Sequence, residues 1–145
     1  MTDLNKEIGV SRKSCEITSD EDKVIARLKQ GELVALPTET VYGLAAIASK
    51  EEAVKKVYEL KQRPLDHPLI LHVASKLDFS FWVKNISSAA IALMDAFWPG
   101  PLTLVFEKNN VLDCITAGQN TVAVRCPQHP ATQRILQALG EPLVM

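Results

Sequence analysis

The chain has 145 residues, 47% of them hydrophobic and 23% charged, and carries a net charge of −1 at pH 7. A chain of this size forms one domain that buries roughly 70% of the surface its unfolded form exposes, so neither a disulfide nor a metal staple is required. The composition excludes wholesale disorder, and the near-neutral charge excludes nucleic-acid binding by bulk charge, leaving only a local basic patch. Cys15, Cys114 and Cys126 stand far apart with no CxxC pair, which argues against a zinc site or a disulfide framework. The N-terminus carries Asp3, Glu7 and Glu16 and no apolar run, so no signal peptide is expected. The most apolar stretch, 86–106, is broken by Asp95 and by Pro99-Gly100-Pro101 too soon to span a bilayer. A cytoplasmic protein without membrane association is the expectation.

Residues 1–18 are polar and read as a mobile lead-in or a first edge strand, and 19–145 as the domain proper. Ser19 or Asp20 can cap a helix that buries Val24, Ile25 and Leu28, with Gly31 as its left-handed exit. Leu33 to Leu36 read as a short buried strand ended by Pro37. Val41 to Ala48 fit strand or turn equally, with Gly43 allowing close approach of backbone. Ser49-Lys50-Glu51-Glu52 has the form of a capping box ahead of a helix with Ala53, Val54, Val57, Tyr58 and Leu60 inward and Lys61 in its last turn. Pro64 stops that helix, and Pro68 introduces a strand from Leu69 to Val73. Ser75 and Ser88 are further capping candidates, the second for a helix with Ala89, Ile91, Ala92, Leu93, Met94 and Phe97 inward. After the Trp98–Pro101 turn, Leu102 to Phe106 alternates little and predicts a strand covered on both faces. Thr121 to Arg125 alternates and predicts a strand ending in a cation. Ala131 to Leu139 is helical, with Ile135, Leu136 and Leu139 inward and Gly140 as its cap, and Pro142 to Met145 begins another buried strand. Strands alternating with helices, with hairpin-like pieces among them, give an α/β fold with a twisted sheet of mixed direction.

Three segments can carry chemistry. In 61–72, KQRPLDHPLILH, the cations Lys61 and Arg63 stand two apart beside a loop stiffened by Pro64 and Pro68, a pattern that suits a phosphate chain. A basic last turn is also the ordinary complement of a helix C-terminus. His67 and His72 flank the following strand, and two histidines without a third ligand do not make a metal site. In 37–44, PTETVYGL, a polar loop follows a strand, where α/β sheets bind ligands; Thr38 and Thr40 offer hydroxyls. In 121–127, TVAVRCP, Arg125 at a strand end can hold a carboxylate by both prongs, or simply be a solvated charge. The common phosphate-loop, dinucleotide and hydrolase signatures are absent.

PTETVYGL, KQRPLDHPLILH, WPGPLT at 98–103 and TVAVRCP, in that order and spacing, resemble the YrdC-type family, and within it the threonylcarbamoyl-AMP synthases. The resemblance runs from about residue 20 to the end of the chain. It implies a single YrdC-like domain with a concave cleft, and a nucleotidyltransferase that joins ATP, L-threonine and bicarbonate into threonylcarbamoyl-adenylate with release of pyrophosphate. Partner proteins of tRNA modification then pass the group to tRNA, and the magnesium expected with ATP is held mostly by ATP itself. Carried over by position, Lys61, Arg63, His67 and Thr121 would contact ATP. Thr38, His72 and Arg125 would hold L-threonine, with Thr40 and Tyr42 as weaker wall residues. No residue is assigned as a general acid or base, since chemistry of this type rests on positioning and charge stabilisation. The family continues into a Ser-x-Asn motif beyond the last strand; this chain ends before it, and weak or absent activity is the corresponding expectation. Two other readings remain. One is a carbamoyl-transfer domain of the hydrogenase-maturation type, whose acylphosphatase-like and zinc-finger segments have no counterpart here. The other is a non-catalytic RNA-binding module using Arg12, Lys13, Lys61, Arg63 and Arg125.

Overall fold

The computed structural model describes residues 14–75 and 79–145. Most of the lead-in, with Arg12 and Lys13, lies outside the described residues, as does the segment that Ser75 would cap; 14–20 form neither helix nor strand. The elements in chain order are α1 (Glu21–Lys29), β1 (Val34–Leu36), β2 (Gly43–Ile47), α2 (Glu51–Lys61), β3 (Ile70–His72), a 3-10 turn (Phe79–Phe81), β4 (Val83–Lys84), α3 (Ser88–Phe97), β5 (Thr103–Lys108), α4 (Asp113–Thr116), β6 (Thr121–Arg125), α5 (Pro130–Leu139) and β7 (Leu143–Val144). The strands form one mixed sheet in the order β1-β2-β7-β3-β6-β5-β4. Among the described residues, β3 and β6 pair in parallel, with Ile70 beside Ala123 and His72 beside Arg125; the other neighbours are antiparallel.

Each face of the sheet has its own core. On one, Val24 and Leu28 of α1 and Ile135 and Leu136 of α5 pack on Leu36, Ala45, Ile47 and Leu143. On the other, Val54, Val57 and Tyr58 of α2, with Ile115 of α4 and Met94 of α3, pack on Ala46, Leu71, Val122, Val124 and Val144. Local chemistry sets the boundaries. Asp20 caps α1 through the Lys23 backbone N–H, and Gln62 and Gly140 end α2 and α5 in the left-handed region. At Gly43 a β-carbon would fall 2.5 Å from Met145 Sδ, so the close approach expected there is made by the side chain that follows β7.

Several expectations need correction. The Ser49 hydroxyl donates to the Glu141 carboxylate and does not cap α2; Lys50 is the N-cap residue and uses no side-chain bond to the helix. The cap of α3 is Ser87, one residue before the expected Ser88. Leu60 is 67% exposed, because the α2 stripe ends at Tyr58. Ile25 and Leu139 are half-buried at the margin of their core. β1 is an edge strand, with Ala35 exposed and Leu36 buried. The strand β5 does alternate: Leu104 and Phe106 face the core, while Val105 points to solvent.

The largest difference is α3. Ala89, Ile91, Ala92, Leu93 and Phe97 are exposed, and Met94 is its buried residue. The helix meets the core along Ala90, Met94 and the following Trp98, one side chain per turn. Apolar residues surround this helix, so their spacing did not distinguish the inner stripe. The short α4 and β4 were not expected; α4 brings Ile115 inward, and its carbonyl accepts the Leu69 N–H.

The Trp98–Pro101 turn, with a cis Trp98–Pro99 bond, is anchored to the end of β6 by the Gly100 N–H on the Cys126 carbonyl, 2.8 Å away. A β-carbon at Gly100 would lie 2.4 Å from the Phe97 carbonyl oxygen, a backbone atom that cannot step aside. Gly100→Ala is therefore expected to cost about 1–3 kcal/mol of stability. Thermal denaturation checks this; an unchanged Tm would mean the turn relaxes freely.

Candidate functional site

Side-chain alternation along β6 builds the site. Val122 and Val124 are buried in the core, so Thr121, Ala123 and Arg125 share the opposite face. Cross-strand pairing puts Ile70 and His72 of β3 on that face on one side, and Thr103, Val105 and Glu107 of β5 on the other. Over β6 and β5 this face stays open: Thr121 is exposed and Val105 is 66% exposed. Four steps of strand separate Thr121 from Arg125, about 13 Å. That span matches a nucleotide better than one small amino acid.

At the Arg125 end, the 37–42 loop folds onto the strand. Thr38 closes the loop on itself: its Oγ1 donates to the Val41 carbonyl at 2.5 Å and accepts from the Thr40 and Val41 backbone N–H groups at 3.3 and 3.2 Å. The Thr132 hydroxyl of α5 donates to the Pro37 carbonyl at 2.5 Å and pins the loop's start. Arg125 Nη2 donates to the Glu39 carboxylate and, at 3.1 Å, to Thr40 Oγ1. Glu39 Oε2 also accepts the Gln128 backbone N–H at 2.6 Å. Burial pushes the Glu39 carboxyl upward, but the bonds from Arg125 and Gln128 outweigh it and hold the group below the usual carboxylate range. Tyr42 is 77% exposed.

His72 is buried beside this pair. Burial lowers it to about 4, against the Ile70 carbonyl bond that raises it and with the Arg125 charge lowering it further. A neutral imidazole whose Nδ1 lies 3.1 Å from the Ile70 carbonyl carries its proton on Nδ1 and leaves Nε2 as an acceptor.

The second group stands on the loop before β3 and at the start of β6. β3 is the parallel neighbour of β6, and Thr121 opens β6 two residues before Ala123, the partner of Ile70. Arg63 donates from Nε to the His67 carbonyl at 3.1 Å and from Nη2 to the Pro68 carbonyl at 2.8 Å, stapling the proline-rich loop. In this conformation, then, Arg63 is partly committed to its own loop, while the side chain of His67 is 57% exposed and Lys61 is exposed. The structure thus brings Thr38, Thr40, His72 and Arg125 together at one end of the open face, joins Arg63 to His67 within the loop before β3, and places Thr121 at the far end of β6. Glu39 and Gln128 went unnoticed in the sequence. An acid within the PTET loop was a signal, yet its partner lies 86 residues away. A separate groove of about 420 Å³ runs between Val73, Trp82, Leu136 and Pro142, and its lining includes none of these residues.

His72 sets a pH dependence of stability. An unfolded histidine titrates near about 6.5, and the folded one near 4, so between those values the unfolded chain holds more protons. Stability is expected to fall as pH drops from 6.5 toward 4 and to level off below. His72→Gln is expected to remove that slope in denaturation curves taken across the window; an unaltered slope would assign it to other groups.

Comparison with known proteins gives this geometry a family. A family model for Sua5, YciO and YrdC, described as "Telomere recombination", matches residues 26–145. A protein of Pyrococcus abyssi named threonylcarbamoyl-AMP synthase is 47% identical over 117 residues, covering 80% of this chain and 34% of the relative. One of the same name from Vibrio vulnificus is 36% identical over 130 residues, covering 88% of this chain and 70% of the relative. The chain thus spans about a third of the archaeal relative's length. Among solved structures, Pyrococcus abyssi Sua5 complexed with L-threonine superimposes with a TM-score of 0.83 at 44% identity, covering 86% of this chain and 37% of that one. Matched over most of its length by both sequence and fold, the chain belongs to the Sua5–YciO–YrdC family.

Proposed function

We propose that this chain binds ATP, L-threonine and bicarbonate and joins them into threonylcarbamoyl-adenylate with release of pyrophosphate, for use in tRNA modification by partner proteins. One observation carries the proposal: Thr38, Thr40, His72 and Arg125 gather at one end of an open sheet face whose far end carries Thr121. Relatives named threonylcarbamoyl-AMP synthase and the threonine complex of Sua5 support it. In this reading Arg125 receives the amino-acid carboxylate, His72 Nε2 accepts a hydrogen bond from the substrate, and the Thr38 loop forms the wall. Lys61 and the free prongs of Arg63 lie toward the phosphates, with His67 and Thr121 beside the nucleotide. The threonine amine and bicarbonate form a carbamate with loss of water; its oxygen attacks the α-phosphorus and pyrophosphate leaves. The cations lower the repulsion between these anions, and alignment along β6 supplies the rest. Magnesium enters with ATP, carried mainly by phosphate oxygens. Among the described residues, no cluster of three His, Cys, Asp or Glu side chains is arranged to hold a metal ion of its own.

The RNA-binding reading is weakened by one contact: the pairing of Arg125 with Glu39 removes a cation from its basic patch. Among the described residues, no helix is long and apolar enough to cross a membrane.

Calorimetry with ATP and L-threonine tests the assignment. Losing a charged hydrogen-bonding partner costs about 1.5–3 kcal/mol, or roughly 10- to 100-fold in affinity. Arg63→Ala is expected to weaken ATP by that amount and leave L-threonine nearly unchanged, while Arg125→Ala does the reverse. The opposite pattern would mean the two ends are exchanged. Salt-sensitive tRNA binding without threonine-dependent pyrophosphate release would favour the RNA-binding module.

A further inference from the structure

The seat at Arg125 already contains a carboxylate. Glu39 accepts from Arg125 Nη2 and from the Gln128 backbone N–H at 2.6 Å, and Thr40 Oγ1 stands 3.1 Å from the same Nη2. The Arg125 and Glu39 side chains are only 12% and 19% exposed, which leaves little room for a second anion beside the first. The arrangement is also incomplete. A carboxylate ordinarily takes two adjacent guanidinium N–H groups at once. Here Glu39 takes Nη2, whereas Arg125 Nε is buried with no acceptor at all. A buried donor without an acceptor is costly, so the contact is weaker than the seat allows. Glu39 is tethered through the loop; a free amino acid is not, and can fill both positions. The side chains that follow in the loop do not cover Glu39 from solvent: Val41 and Tyr42 are 71% and 77% exposed.

We infer that Glu39 is an intramolecular occupant of the carboxylate seat at Arg125, and that an α-amino acid binds by displacing it. This rests on the reading above that Arg125 receives the amino-acid carboxylate. Glu39 is then a selectivity residue: it sets a threshold that monodentate anions do not pass and a two-pronged carboxylate does.

The test is calorimetric titration of L-threonine into the unaltered chain, Glu39→Gln and Glu39→Asp, with circular dichroism to establish that each is folded. Glu39→Gln removes the competing charge, and Glu39→Asp shortens its reach. Both are expected to bind L-threonine about tenfold more tightly, as follows when the competent state rises from a tenth of the population to nearly all of it. Affinity unchanged or weakened in both variants, with the unaltered chain binding, would overturn the inference and make Glu39 a fixed partner that orients Arg125. Absence of L-threonine binding in all three proteins would overturn the amino-acid reading together with it, a distinguishable result. A second readout needs no substitution. The Arg125 Nε–H proton resonance is expected to move downfield when L-threonine supplies the missing acceptor; binding without that movement would also overturn the inference.

Discussion

The parallel pairing of β3 with β6 aligns everything on the open face. Parallel neighbours keep paired residues on the same side of a sheet, so His72 stands with Arg125 and Ile70 with Ala123. Val122 and Val124 hold that orientation by being fully committed to the opposite core. A slip of one residue in β6 would bury Arg125 among aliphatic side chains and turn two valines to solvent, a change that no local interaction could offset. The hydrophobic core on one side therefore determines which polar groups are presented on the other.

Around Arg125 the structure carries local tension. A mostly buried guanidinium is stabilised by a carboxylate from a loop distant in sequence and by a threonine hydroxyl, yet one of its donors stays unmet. Buried pairs of this kind contribute little net stability, because desolvation offsets most of their attraction. They do impose orientation. His72 adds to this by remaining neutral, so it places an acceptor beside the arginine without adding a second positive charge.

The loop before β3 works differently. There the cation comes from a loop rather than a strand, and Arg63 organises its own surroundings by bonding the His67 and Pro68 carbonyls. Two prolines limit the conformations of that loop, so few bonds are needed to hold it. Structural and functional readings of Arg63 are therefore compatible: the same side chain can shape the loop and present its remaining N–H groups to phosphate.

The α/β class, the helices α1, α2 and α5 and the strand β6 with its terminal arginine were legible in the sequence, because their apolar periods, caps and prolines act locally. The four motifs were legible as well, and with them every candidate side chain but Glu39 and Gln128. What only the tertiary structure decided depends on which surfaces meet. α3 is apolar nearly all round, so its spacing did not reveal that contact runs through Ala90, Met94 and Trp98. Ser49 has the sequence of a cap but finds Glu141, 92 residues away, as its partner. Arg125 and Glu39 are likewise joined by the sheet order, which lays the loop before β2 against the end of β6. Short-range patterns determined the elements; long-range pairing, set by burial of the two cores, determined which charges meet.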